Sequence, residues 1–133
     1  MHDPAPDGLS PLRVLVVDAD ERVRESLAGL LSLGDRVVVV GSAGDPGEAL
    51  ELVASTQPDV VVLDPRLPEL DRGRTFVNRV RRAAPGVCVV ALCPTDPSDA
   101  AYADCQADGV VRKTFRPAEL VEAIVAARAR TAH

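Results

Sequence analysis

Short apolar, β-branched runs alternate with helical patterns along the whole chain. "RVLVV" (13–17), "RVVVV" (36–40), "DVVVL" (59–63), "VCVVAL" (87–92) and "GVV" (109–111) are continuous rather than alternating. Runs of this kind read as strands buried on both faces, the pattern of a parallel sheet. Between them, Val23, Leu27, Leu30 and Leu31 fall on one helix face. Asp45-Pro46-Gly47-Glu48 supplies an N-cap, a proline at the first helical position and a capping-box acid. Asp96-Pro97-Ser98-Asp99 opens a further helix in nearly the same way. Phe76 and Val80 lie one helical turn apart, and Pro117 starts a last helix in which Leu120, Ile124 and Ala127 share a face. Arg128 and Arg130 stand near its C-terminus, where the helix dipole favours cations.

Five strands and five helices in strict alternation predict an α/β fold. Right-handed crossovers turn that order into a doubly wound, five-stranded parallel sheet with helices on both faces, a flavodoxin-like three-layer (βα)5 sandwich. The expected organisation is a polar N-terminal tail over 1–11, one domain over 12–130 and a short tail over 131–133. No run approaches the about 20 apolar residues of a membrane span, and "MHDPAPDGLSP" lacks the regions of a signal peptide, so a cytoplasmic protein is expected.

Composition narrows the function. The formal charge of −5, with scattered basic residues, argues against direct nucleic-acid binding. Cys88, Cys93 and Cys105 have no metal-type spacing and read as reduced, small apolar residues. "GSAGDPGEAL" (41–50) superficially resembles a phosphate loop, but it follows the second strand and carries Asp45, which would repel a phosphate. Arg72, Arg74, Arg79, Arg81 and Arg82 enrich the third helix and its entry in positive charge and read as a solvated face.

In doubly wound sheets, ligands bind beyond the carboxyl ends of the strands. Asp18, Ala19 and Asp20 follow the first strand, Asp64, Pro65 and Arg66 the third, Cys93 and Pro94 the fourth, and Arg112 and Lys113 the fifth. Asp18 and Asp64 would converge there. Two carboxylates together call for a cation, and a hard divalent ion such as Mg²⁺ takes oxygen ligands. An aspartate can also attack a phosphoryl donor to give an acyl phosphate, and a lysine ammonium suits a phosphoryl oxygen. Lys113 is the only lysine in the chain, against fourteen arginines.

With these residues in place, the chain resembles the receiver domains of two-component response regulators. "VLVVDADERVRESLAGLL" resembles their opening strand and acidic turn, "QPDVVVLDPRLPELD" the segment around the phospho-accepting aspartate, and "GVVRKTFRPAELVEAI" the lysine strand and last helix. The resemblance implies Asp64 as phospho-acceptor, Lys113 as phosphoryl-binding residue and Cys93 at the family's Thr/Ser position. It implies a metal site of Asp18, Asp64 and the Arg66 backbone carbonyl, with Asp20 as a further candidate ligand. It also implies a sensor histidine kinase or phosphotransfer protein as donor and a downstream protein as target. The fourth helix, fifth strand and fifth helix would form the docking or homodimer face, in a stand-alone regulator that is not an enzyme.

Departures from the family pattern imply weakened or absent Mg²⁺ binding. Ala19 replaces the second acid of the pair, and a methyl group cannot ligate. Asp20 lies one residue further on, where capping of the first helix is the favoured role. Cys93 is a weaker donor than a hydroxyl. Pro65 and Pro94 have no N–H. Val110 stands where the family has a switch aromatic, and Thr114 follows the lysine where the family has proline. A phosphorylation-independent pseudo-receiver that acts as an interaction module is therefore the alternative. A flavodoxin-like nucleotide binder is a third reading, opposed by the acidic, glycine-free "DADER".

Overall fold

The computed structural model describes residues 10–64, 73–93, 107–112 and 116–131. Its elements run β1 (Leu12–Val17), α1 (Glu21–Leu31), β2 (Val37–Ala43), α2 (Pro46–Thr56), β3 (Val60–Leu63), α3 (Gly73–Ala83), β4 (Cys88–Cys93), β5 (Gly109–Arg112) and α4 (Pro117–Thr131). Here α4 is the last helix of the chain. The helix expected from Asp96-Pro97 lies outside the described residues.

The strands form one parallel sheet in the order β2-β1-β3-β4-β5. Alternation along each strand divides the apolar side chains between two layers. Leu15, Val17, Val61 and Leu63 pack with Val53, Phe76 and Val80 of α2 and α3 on one face. Val14, Val16, Val60 and Val62 pack with Leu27, Leu31, Leu120 and Ile124 of α1 and α4 on the other. Strands β3 and β4 are buried throughout, which is why their sequences read as unbroken apolar runs. The expectation of burial on both faces fails for β2 and β5. These are the edge strands, each with a neighbour on one side only, and their residues are mostly half-buried. The strand β2 also runs past Val40 through Gly41 and Ser42 to Ala43. A bulge between Val14 and Leu15 in its pairing with β1 skips Val40 and restores the ladder beyond it.

The helix starts follow the capping signals. The Asp45 carboxylate accepts from the Glu48 N–H at 2.8 Å, and Glu48 reaches back to the Gly44 N–H at 3.0 Å, one residue before the cap. Gln57 closes α2 in the left-handed region, with φ of 47°. The Arg13 guanidinium donates to the Thr56 and Gln57 carbonyls at this negative helix end.

At the amino edge of the sheet, Asp59 and Asp108 repeat one device. The Asp59 N–H donates to the Arg13 carbonyl and its Oδ2 accepts from the Arg13 N–H at 2.9 Å. The Asp108 N–H donates to the Val89 carbonyl and its Oδ2 accepts from the Val89 N–H at 2.8 Å. Each aspartate thus adds a side-chain rung before its own strand begins. An arginine faces the second oxygen in each case: Arg81 lies 3.1 Å from Asp108, and Arg128 lies 4.0 Å from Asp59. Cys88, under α4, is a buried thiol, and desolvation pushes its pKa up against the opposing hydrogen bond with Thr131.

Removing the Asp108 rung leaves a half-buried N–H without its acceptor. Asp108→Ala is expected to destabilise the fold by about 1–3 kcal/mol in denaturant unfolding. Asp108→Asn keeps an accepting oxygen and should recover most of that loss.

Candidate functional site

Asp18 and Asp64 are the two buried charged residues among those described, at 4% and 5% exposure. Each directly follows a strand of the sheet centre. Val17 and Leu63 are register partners on β1 and β3, the Asp64 N–H donates to the Val17 carbonyl at 3.0 Å, and the Asp18 N–H donates to the Ala43 carbonyl at 3.1 Å. The ladder therefore fixes both backbones at the last rung, on strands about 4.8 Å apart. This is the point where strand order reverses. From β1 the chain passes through α1 to β2 on one side, and α2 then returns it to β3 on the other. A crevice opens between such diverging connections, and ligands of open α/β sheets bind there.

The acidic turn after β1 is held by its own hydrogen bonds. Asp18 Oδ1 accepts from the Asp20 N–H at 2.9 Å. Asp20 is the N-cap of α1: its Oδ1 accepts from the Arg22 and Val23 N–H groups at 2.9 and 3.4 Å. Ala19, between them, is exposed and offers only its backbone. Arg24, a residue that the sequence did not single out, donates from Nη1 to the Asp18 carbonyl at 2.8 Å and the Ala19 carbonyl at 3.3 Å. Its signal was weak: an arginine four residues beyond an N-cap is ordinary on a helix surface.

Cys93 ends β4, fully buried, with Arg112 of β5 as its register partner. Val110 is half-buried in β5. Lys113, Arg66, Pro65, Pro94 and Thr114 lie outside the described residues. Among the described residues, no cluster of three or more His, Cys, Asp or Glu side chains forms a ready metal cage. Two buried carboxylates at neighbouring strand ends nevertheless suit Mg²⁺, which is commonly bound through one or two carboxylates while it keeps several waters. Asp18 and Asp64 would hold it. No helix among the described residues is long and apolar enough to cross a membrane.

Residues 14–125 match the family model of the response regulator receiver domain. The chain belongs to that family. It is 38% identical over 123 residues to the response regulator MprA of Mycolicibacterium vanbaalenii, covering 91% of this chain and 52% of that protein. It is 43% identical over 75 residues to a protein-glutamate methylesterase/protein-glutamine glutaminase of Anaeromyxobacter dehalogenans, covering 56% of this chain and 20% of that one. The chain thus spans about half the length of the first relative and a fifth of the second. Among solved structures, the signal receiver domain of the response regulator NarL from Mycobacterium tuberculosis superposes with a TM-score of 0.77 at 31% identity, covering 90% of this chain and 98% of that one. The response regulator domain of Thermotoga maritima CheB gives 0.75 at 27% identity, over 90% and 97% of the two chains. Receiver domains take a phosphoryl group on an aspartate and bind Mg²⁺ at the acidic pocket, and in this receiver Asp18 and Asp64 stand at the carboxyl ends of β1 and β3.

The capping geometry of Asp20 separates two roles by substitution. Asparagine caps as well as aspartate, whereas alanine does not. Asp20→Ala should cost about 1 kcal/mol of stability, and Asp20→Asn should be near neutral in thermal unfolding. If Asp20 only caps, Asp20→Asn also leaves Mg²⁺ affinity unchanged in a metal titration.

Proposed function

We propose that this receiver accepts a phosphoryl group on Asp64 and acts through protein–protein binding, with weakened Mg²⁺ affinity. The observation that carries the reading is the burial of Asp18 and Asp64 side by side at the switch point of the sheet. Desolvating two carboxylates is costly unless a cation or donors meet them. The donor is a phosphohistidine on a sensor histidine kinase or phosphotransfer protein. An Asp64 carboxylate oxygen attacks phosphorus, the phosphorus–nitrogen bond breaks, and the imidazole leaves with the electron pair. Asp18 holds the charge balance on one side of Asp64, and the ammonium of Lys113 receives a phosphoryl oxygen. Bound Mg²⁺ would supply further positive charge to the phosphoryl oxygens. The downstream target, or a second copy, docks on the face that includes β5 and α4.

A second reading is the pseudo-receiver, and the acidic turn favours it. The position that would carry the second acid is an exposed methyl, and the next carboxylate caps a helix. Cys93 offers a thiol where a hydroxyl would donate better.

Intact-mass spectrometry after incubation with acetyl phosphate and Mg²⁺ separates the two. The expected result is a single phosphoryl adduct that Asp64→Asn abolishes. Absence of the adduct at high Mg²⁺, with a phosphorylated donor protein also present, would establish the pseudo-receiver. A companion substitution tests the metal reading. Ala19→Asp is expected to tighten Mg²⁺ by about tenfold or more, equivalent to about 1.4 kcal/mol, in a Mg²⁺-dependent thermal-shift titration, with little change in the stability of the metal-free protein.

A further inference from the structure

The acidic turn rests against a neighbour from a different loop. The Arg24 guanidinium, half-buried, spans from α1 to the residue after β2. There Gly44 leaves the space it occupies: a Cβ at position 44 would lie 2.5 Å from Nη1 and 3.2 Å from Cζ of Arg24. From that slot, Nη1 donates to the carbonyls of two successive peptide groups, those of Asp18 and Ala19. The same turn is closed from within by the Asp20 N–H on Asp18 Oδ1 and by the Asp20 cap on α1. One guanidinium thus holds the Asp18 and Ala19 carbonyls, while the Asp20 N–H holds the Asp18 carboxylate.

We propose that Arg24, seated in the slot at Gly44, is a positioning residue for the acidic site: it holds the Asp18–Ala19 turn so that Asp18 is aimed toward Asp64, and it makes the β2–α2 loop part of the site. The importance of this clamp follows from the chemistry of the turn. With no carboxylate at Ala19, Asp18 is the sole buried acid of the β1 turn, and any loss of its orientation falls directly on cation binding. A planar guanidinium can bridge two carbonyls from one nitrogen while its charge stays half-solvated. The role of Gly44 is steric. Its Cβ would meet the far end of a flexible side chain, so alanine there displaces Arg24 and leaves the backbone intact.

The inference rests on the receiver reading for its consequence, but its first test is independent of metal and phosphate. The Asp20 amide reports the Asp18 carboxylate directly, because the two are hydrogen-bonded. In the metal-free full chain, Arg24→Ala and Gly44→Ala should each raise the Asp20 amide exchange rate by about tenfold and shift its resonance, while Arg24→Lys recovers part of the effect. The double substitution should add nothing to either single one, because both remove the same contact. Arg22→Ala, which removes an exposed cation of the same turn, should leave that amide unchanged. In Mg²⁺ titrations the two single variants should bind about tenfold more weakly.

An Asp20 amide indifferent to Arg24→Ala, or additive effects at positions 24 and 44, would overturn the proposal. So would tighter Mg²⁺ binding by Arg24→Gln, which would make Arg24 a repelling charge rather than a clamp. If Arg24→Ala fails to fold, Gly44→Ala carries the test, since it keeps the arginine. A released Asp20 amide in a protein that takes neither phosphate nor Mg²⁺ would remove the phospho-acceptor reading and leave the clamp standing.

Discussion

A carboxylate that gives up water must find donors or a cation, and Asp18 and Asp64 both give it up. This constraint organises the carboxyl edge of the sheet. The parallel ladder between β1 and β3 leaves no freedom in where the two backbones end, because Val17 and Leu63 are paired and the Asp64 N–H is bound to Val17. The helices α1 and α3 pack on opposite faces of the sheet. Like charges placed together in a poorly solvated crevice repel, and a cation relieves that repulsion. The chemistry assigned to the pocket is a consequence of strand order as much as of residue type.

The two edges of the sheet use aspartate in opposite ways. At the amino edge, Asp59 and Asp108 each accept a backbone N–H from the neighbouring strand and face an arginine, so their charge is met within the fold. They lengthen the ladder before β3 and β5 begin, which matters most for β5, a strand of four residues at the edge. At the carboxyl edge, Asp18 and Asp64 are buried at the ends of β1 and β3, and the Asp20 N–H donates to Asp18 Oδ1. The Asp59 and Asp108 carboxylates extend the ladder, whereas the Asp18 carboxylate closes the turn that follows β1.

Much of this was legible in the sequence for physical reasons. The strands β1, β3 and β4 were plain because burial on both faces demands unbroken apolar runs, and Asp45-Pro46 marked α2 because an N-cap and a first-turn proline have few other uses. Asp18 and Asp64 were legible because acids directly after such strands must sit at the sheet end. The limits have equally specific causes. Gly41 and Ser42 have weak strand propensity, and β2 includes them only because β1 pairs with them across a bulge. The exposure of β2 and β5 follows from strand order, which no single run encodes. Arg24 was hidden because its partners are backbone carbonyls and an absent side chain at Gly44, neither of which leaves a mark on residue type.

Position 19 shows how function can vary here without touching the fold. The Ala19 side chain is exposed and belongs to no core layer. Its neighbours are held by other means: Asp18 by the ladder and the Asp20 N–H, Asp20 by its cap, and the peptide between Asp18 and Ala19 by Arg24. An acid can be present or absent at such a position at little cost in stability, because the hydrogen bonds described for the turn pass through the backbone or through residues on either side. The side chain at position 19 is thus free to vary while the hydrogen bonds that hold Asp18 and Asp20 stay in place.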